Sequence, residues 1–223
     1  MQQLEFDRDQ VLFKGQIEVE NNRIIYCFLK RIIDVVFSLI GLIVLSPIFL
    51  FVTILIRLES KGNSIFSQVR VGKDGKRFKM YKFRSMVANA EELKDKLRDK
   101  NEMCGPMFKI KEDPRVTKVG KFIRKTSVDE LPQLVNVLKG EMSLVGPRPS
   151  LPKEVMKFEK WMMTRLSVKP GLTCYWQVSG RSDIGFEEWM ELDVRYVEER
   201  NTLIDLGLIF RTFGVLFGDE HAR

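Results

Sequence analysis

Residues 113–149 read DPRVTKVGKFIRKTSVDELPQLVNVLKGEMSLVGPRP, and the organisation of the whole chain can be worked outward from them. Arg115, Lys118, Lys121, Arg124, Lys125 and Arg148 are gathered here around two adjacent carboxylates, Asp129 and Glu130. Cations near paired carboxylates suit a polyanion and a divalent metal together, because the metal needs hard oxygen ligands and phosphates need positive donors. Proline is favoured at the first helical position, so Pro132 predicts a helix that starts there and stops at Gly140. Asp129 and Glu130 then lie just ahead of a helix N-terminus, where free N–H groups and the helix dipole favour negative charge. The alternative is a capping box formed by Ser127 and Glu130. Pro132 weighs against it, since a helix starting at Val128 would carry proline past its first turn.

Upstream, residues 32–56 contain one charge, Asp34, and are long enough to cross a bilayer. Ser46-Pro47 interrupts them near the centre, and proline there bends a helix. Lys30 and Arg31 flank one end and Arg57 and Lys61 the other. Basic flanks favour the cytoplasmic side, so a helix hairpin dipping into one leaflet satisfies both ends. A straight span with a tolerated proline is the alternative, and sequence physics does not separate the two. Residues 64–84 predict a β-hairpin with its turn at Asp74-Gly75. Seven cations between Arg70 and Arg84, against the single acid Asp74, suit either a solvated face or anionic headgroups.

Residues 88–103 predict a charged helix with a Glu92–Lys96 pair. Residues 154–166 predict one amphipathic helix, lying at the bilayer interface or packed in the core. A Pro-Gly turn after Lys169 leads to a predicted short strand, TCYWQV, and residues 189–200 and 203–217 predict two further helices. The stretch VLFKGQIEVE near the N-terminus suits a strand, and IIYCFL after it is apolar. No signal peptide is expected, because MQQLEFDRDQ is acidic and polar.

A chain of 223 residues suits one compact domain with an appendage. Its net charge of +7 predicts an anionic partner. Cys27, Cys104 and Cys174 are widely spaced and signal neither a disulfide framework nor a zinc site; they fit a reducing compartment. The single histidine, His221, nearly excludes triads and histidine metal sites. No P-loop or dinucleotide fingerprint is present. Chemistry therefore rests on Asp129 and Glu130. Neighbours on a helix project about a third of a turn apart, which predicts two separate jobs: one carboxylate as nucleophile on phosphorus, the other associated with Mg²⁺.

The motif SVDELPQLVNVLKGEMSLVGPRP closely resembles the signature of bacterial sugar transferases, the monotopic phosphoglycosyl transferases. The resemblance runs from Lys30 to about Gly218 through KRIIDVVFSLIGLIVLSPIF, YKFRSM, DPRVTKVGKFIR, KPGLTCYWQVSGR and LDVRY. It implies an α/β fold that is mostly helical, with a small β-hairpin, amphipathic interfacial helices and a re-entrant hairpin broken at Ser46-Pro47. Residues 1–29 are then an N-terminal extension, 30–61 the membrane hairpin and 62–223 a catalytic domain at the cytoplasmic face of a bacterial plasma membrane. Asp129 matches the nucleophile attacking the β-phosphate of a UDP-sugar, and Glu130 the Mg²⁺-associated acid. Arg124 and Arg148 match phosphate-contacting residues, and Lys82, Arg84 and Arg181 fall in motifs expected to face the substrate. The implied partners are membrane lipid, undecaprenyl phosphate and a UDP-hexose, glucose or galactose, with no nucleic acid. Residues 1–29 leave a homodimer open.

Two departures from the family pattern are Val128, where Leu or Ile is usual, and Cys174, where Gly is common. The rival readings are a glycosyltransferase that releases UDP and a non-enzymatic basic scaffold on membranes or nucleic acid. The first finds no DxD motif within the span of the resemblance, where Asp193-Val-Arg has no second acid. The second has no helix-turn-helix or zinc module and leaves Asp129-Glu130 unexplained.

Overall fold

A computed structural model describes residues 23–95, 97, 110, 112–179 and 184–218. Helix α1 (Ile24–Val44) and helix α2 (Ser46–Glu59) are separated by Leu45 and bent by 59°. Pro47 opens α2, where its missing N–H costs nothing. The Ser46 hydroxyl donates to the Ile43 carbonyl at 2.8 Å, covering an acceptor that the break exposes. Among the described residues no single helix is long and apolar enough to cross a membrane, whereas this bent pair taken together has the length and composition for a broken span or a re-entrant loop. Its outward side chains are apolar, among them Ile43, Val44, Leu50 and Phe51. The helix runs back to Ile24, so IIYCFL belongs to it rather than to an extension. The N-terminal VLFKGQIEVE stretch and most of residues 96–111 lie outside the described residues.

The predicted hairpin forms. Strand β1 (Ile65–Val71) pairs antiparallel with β2 (Arg77–Phe83), Ile65 opposite Phe83 and Val71 opposite Arg77. The connecting turn holds Asp74 at φ 55° and Gly75 at φ 74°, left-handed positions for which Asp and Gly are suited. A short helix α3 (Ala90–Asp95) is the described part of the charged segment. Helix α4 (Lys118–Lys125) is capped by Thr117, whose hydroxyl accepts from Gly120 N. Helix α5 (Gln133–Lys139) has Pro132 as its N-cap and Gly140, left-handed, as its C-cap, one residue from the expected start.

Phe83 of β2, Val52 and Ile56 of α2 and Ile123 of α4 form one buried cluster, each contributing about 1.5–3 kcal/mol by burial. Phe78 and Met80 from β2 pack on Val137 and Met142. Strand β3 (Ser143–Val145) runs parallel to β4 (Gly171–Thr173). The two backbones approach so closely that a Cβ on Gly171 would stand 2.1 Å from Gly146 N, which only glycine permits. Asp34 of α1 ties the bent pair to this sheet, accepting from Ser143 Oγ at 3.0 Å and Leu144 N at 2.9 Å.

Two expectations are corrected. Residues 154–166 do not make one helix: α6 (Pro152–Val155) is followed by a separate 3₁₀ turn, Trp161–Ser167. Met162, Met163 and Leu166 of that turn are buried, and Arg165 points inward with them, so the turn packs in the core. TCYWQV is not a strand either. After β4 the chain forms α7 (Tyr175–Val178), with Cys174 between them in extended conformation and fully buried. Extended backbone suits any residue, so the cysteine needs no glycine-like freedom. Helices α8 (Phe186–Glu199) and α9 (Thr202–Gly218) complete the fold as expected.

Candidate active site

Asp129 and Glu130 occupy a 3₁₀ turn, Val128–Glu130, between α4 and α5. Ser127 enters it with φ 54° and makes no side-chain cap bond. The capping box therefore does not form. A serine in the left-handed region costs on the order of 1 kcal/mol, and such strain gathers at functional sites.

Glu130 receives two cations on a single oxygen. Lys82 Nζ lies 2.7 Å from Oε1 and Arg148 Nη2 2.9 Å from it. Lys82 arrives from β2 because β2 is locked to α5 through Asn136. That side chain accepts from Tyr81 N at 3.0 Å and donates to Lys79 O at 2.8 Å. Although burial works against it, Arg148 and Lys82 hold the Glu130 carboxyl well below the usual carboxylate range. Asp129 behaves oppositely. It is 8% exposed, accepts no hydrogen bond among the described residues, and burial pushes its carboxyl up to about 6, aided by the Glu130 charge and opposed by Lys82. Two adjacent carboxylates thus sit in different electrostatic states, a mark of functional sites.

Arg148 is held from behind. Its guanidinium lies 5.9 Å from the Trp176 ring, which stacks on Trp189 at 4.4 Å. Its carbonyl accepts from Arg165 Nη2 at 2.7 Å. Arg165 is itself clamped by Asp193 at 2.6 and 3.0 Å and donates to Ser150 Oγ. Sequence reasoning missed this support. Arg165 and Asp193 are 28 residues apart, and nothing local to either marks the pair.

Of the cations grouped on sequence, Lys82 and Arg148 meet the carboxylates, and Arg124 is exposed at the end of α4 with its charge acting on Asp129. Arg115 does not belong to the site: it is buried against Asp113, with contacts of 2.6 and 2.9 Å. Lys118, Lys121 and Lys125 are exposed on α4. Arg84 meets neither carboxylate among the described residues. It donates to Ser60 O at 2.8 Å and Lys61 O at 2.9 Å, closing the end of α2. Ser46 and Pro47 stand at the bend, as expected. Arg181 lies outside the described residues.

Among the described residues no group of three or more His, Cys, Asp and Glu side chains is placed to hold a metal. Mg²⁺ does not require one, because it commonly takes one or two carboxylates and completes its shell with water and substrate phosphates. Asp129, without a hydrogen-bond partner among the described residues, and Glu130 beside it fit that donor set.

A family model described as bacterial sugar transferase matches residues 25–219. The chain belongs to this family. Relatives of this chain include a galactosyl transferase of Streptococcus agalactiae, 48% identical over 84% of this chain and 42% of its own length. An undecaprenyl-phosphate galactose phosphotransferase of Salmonella typhimurium is 43% identical over 87% of this chain and 42% of its own length. An exopolysaccharide production protein of Sinorhizobium fredii is 39% identical, covering 82% of this chain and 83% of its own. The chain thus spans under half the length of the first two and most of the third. Its carboxylates, Lys82 and Arg148 all fall inside the matched residues.

Proposed function

We propose that this sugar transferase moves a hexose-1-phosphate from a UDP-sugar to undecaprenyl phosphate and releases UMP, an opening step of exopolysaccharide or capsule synthesis. The unequal carboxylate pair carries this reading: a buried Asp129, unbonded among the described residues, beside a Glu130 bound by Lys82 and Arg148. An unbonded carboxylate is a nucleophile whose lone pairs are available. Asp129 attacks the β-phosphorus, the bond from that phosphorus to the bridging oxygen breaks, and UMP departs with the electron pair. An oxygen of undecaprenyl phosphate then attacks the acyl phosphate, and its bond to Asp129 breaks to regenerate the carboxylate. Arg148, Lys82 and Arg124 supply positive donors to the diphosphate, Arg148 being able to bind two oxygens at once. Asp129 and Glu130 would hold Mg²⁺, which neutralises phosphate oxygens and charge developing on the leaving group. The bent apolar pair seats the domain in one leaflet at the cytoplasmic face, at the depth of the lipid phosphate. The galactose named in two relatives favours UDP-galactose over UDP-glucose as donor.

Nucleotide release tests the reaction class. Protein held in nanodiscs with Mg²⁺, undecaprenyl phosphate and a panel of UDP-sugars is expected to release UMP with one sugar and to stop on addition of EDTA. Release of UDP would make it an ordinary glycosyltransferase. Neither nucleotide, across the panel, would return the scaffold reading.

The Asp129 carboxyl, pushed up to about 6 by burial, gives a pH dependence. Only the ionised form attacks phosphorus, so kcat/KM for the UDP-sugar should rise through about pH 6 and level off above it. Bound Mg²⁺ would move the midpoint down. A profile flat from pH 5 to 8 in limiting Mg²⁺ would remove Asp129 as the titrating nucleophile.

A further inference from the structure

At the far end of β2 from Lys82 lies a cavity of about 310 Å³ between the 73–75 turn, the end of α5 and the segment before β4, lined by Lys73, Lys76, Arg77, Lys139 and Lys169. A smaller cavity of about 160 Å³ shares Lys73 and Lys169 and adds Lys30, Arg31 and Arg200. The cations come from five separate parts of the chain and meet in two adjoining hollows. Two carboxylates, Asp74 and Glu141, also line the larger cavity, and Asp34 the smaller. Glu141 is engaged by Asn136 at 2.7 Å and Asp34 by β3.

Several of these cations are accounted for within the fold. Lys30 pairs with Asp205 at 2.7 Å, and Lys139 donates to the Tyr81 hydroxyl at 2.9 Å. Arg31 donates to the Val137 and Leu138 carbonyls at 2.7 and 2.8 Å, at the negative end of α5. Lys73, Lys76 and Lys169 form no ion pair among the described residues. A Cβ on Gly140 would stand 3.5 Å from Lys169 Nζ and 3.6 Å from Arg31 Cζ, so two cations converge over that glycine. Burial lowers the Lys169 ammonium, and Arg31 and Lys73 add to the effect by repulsion. Like charges gathered in a partly desolvated hollow are relieved by a bound anion.

We propose that this hollow is a second anion site, built for the oxygens of a soluble di- or triphosphate and separate from the Asp129 centre. The five residue steps along β2 from Arg77 to Lys82 span roughly 17 Å, too far for one phosphate group to reach both. The orientation of α1 favours a soluble ligand over a lipid headgroup. Gly41 packs on Leu134 at the start of α5 while Arg31 reaches its end. The end of α5, where the hollow lies, is therefore roughly 9 Å further from the bend at Leu45 than its start, which follows the Asp129 turn. The cluster stands without the transfer reaction; only this choice of source rests on the bend entering a leaflet.

The test is calorimetric titration of inorganic tripolyphosphate, in EDTA, into Arg148→Ala protein in zwitterionic nanodiscs, where binding at the Asp129 centre is already weakened. Binding is expected, and adding Lys73→Ala with Lys169→Ala should weaken it at least tenfold. Adding Lys118→Ala with Lys121→Ala, which removes equal charge from α4, should leave it unchanged. No binding, or equal loss from both pairs, overturns the proposal. A third arm replaces tripolyphosphate with phosphatidylglycerol vesicles. If only vesicle binding responds to Lys73→Ala with Lys169→Ala, the anion is a headgroup and the soluble source is overturned.

Discussion

Asp129→Asn is expected to abolish turnover while making the metal-free protein more stable at neutral pH. The two effects have one cause. Asp129 is 8% exposed, and burial raises its carboxyl from 3.8 to about 6. A folded-state value above the unfolded one means that the native protein binds more protons between those limits, so stability present at low pH is lost as pH rises through about 6. Keeping that carboxylate ionised above pH 7 costs about 2–3 kcal/mol, at 1.36 kcal/mol per unit. Asparagine carries no charge to desolvate and leaves Glu130 with Lys82 and Arg148. In EDTA the variant should melt several degrees above wild type at pH 8, the gap narrowing as pH falls through about 6 and closing near pH 4. Its UMP release should fall at least about a thousandfold, because the substituted amide cannot form the acyl phosphate. Robust release by the variant would remove the covalent mechanism. Equal melting temperatures at both pH values would instead show that the Asp129 environment does not disfavour its charge.

What was legible in the sequence was whatever local backbone chemistry decides. Proline at 132, glycine at 140, Asp-Gly at 74–75 and Ser-Pro at 46–47 each restrict backbone dihedrals or hydrogen bonding on their own, and the corresponding helix ends, turn and bend all form. The adjacency of Asp129 and Glu130 was equally plain. Membership of the cation ring was not, because sequence proximity does not say which face a charge occupies. On α4 the lysines point to solvent. Arg115, two residues from Asp113, is captured there before it can reach the site. Arg84 is instructive: alternation along a strand would put it on the same side as Lys82, but β2 ends at Phe83 and the side chain turns to the end of α2. The supports of the site were hidden for the complementary reason. Asn136 reads as an ordinary polar residue in an apolar run, and Arg165 as the wet face of an amphipathic helix. Each acquires its role only from partners distant in the chain, β2 for one and Asp193 for the other.

That last pair sets the second large effect. Asp193→Ala is expected to destabilise the protein by about 3–5 kcal/mol, the usual cost of stranding one member of a buried ion pair. Side-chain exposure is 1% for Arg165 and 0% for Asp193, so water cannot replace the lost carboxylate. Burial lifts the Asp193 carboxyl to about 6 even against the pull of Arg165, which indicates how expensive this environment is for charge. An apolar double replacement, Arg165→Met with Asp193→Leu, removes both charges and should recover most of the stability in a urea titration. It should not recover transfer. Arg165 also donates to the Arg148 carbonyl and to Ser150, so without it the loop presenting Arg148 to Glu130 loses its anchor. The double variant should therefore fold well yet show a raised KM for the UDP-sugar, together with a lowered kcat if Arg148 also binds the transition state. Wild-type kinetics in that variant would show that the clamp serves folding alone. A single variant as stable as wild type would show that the buried pair is not closed to solvent.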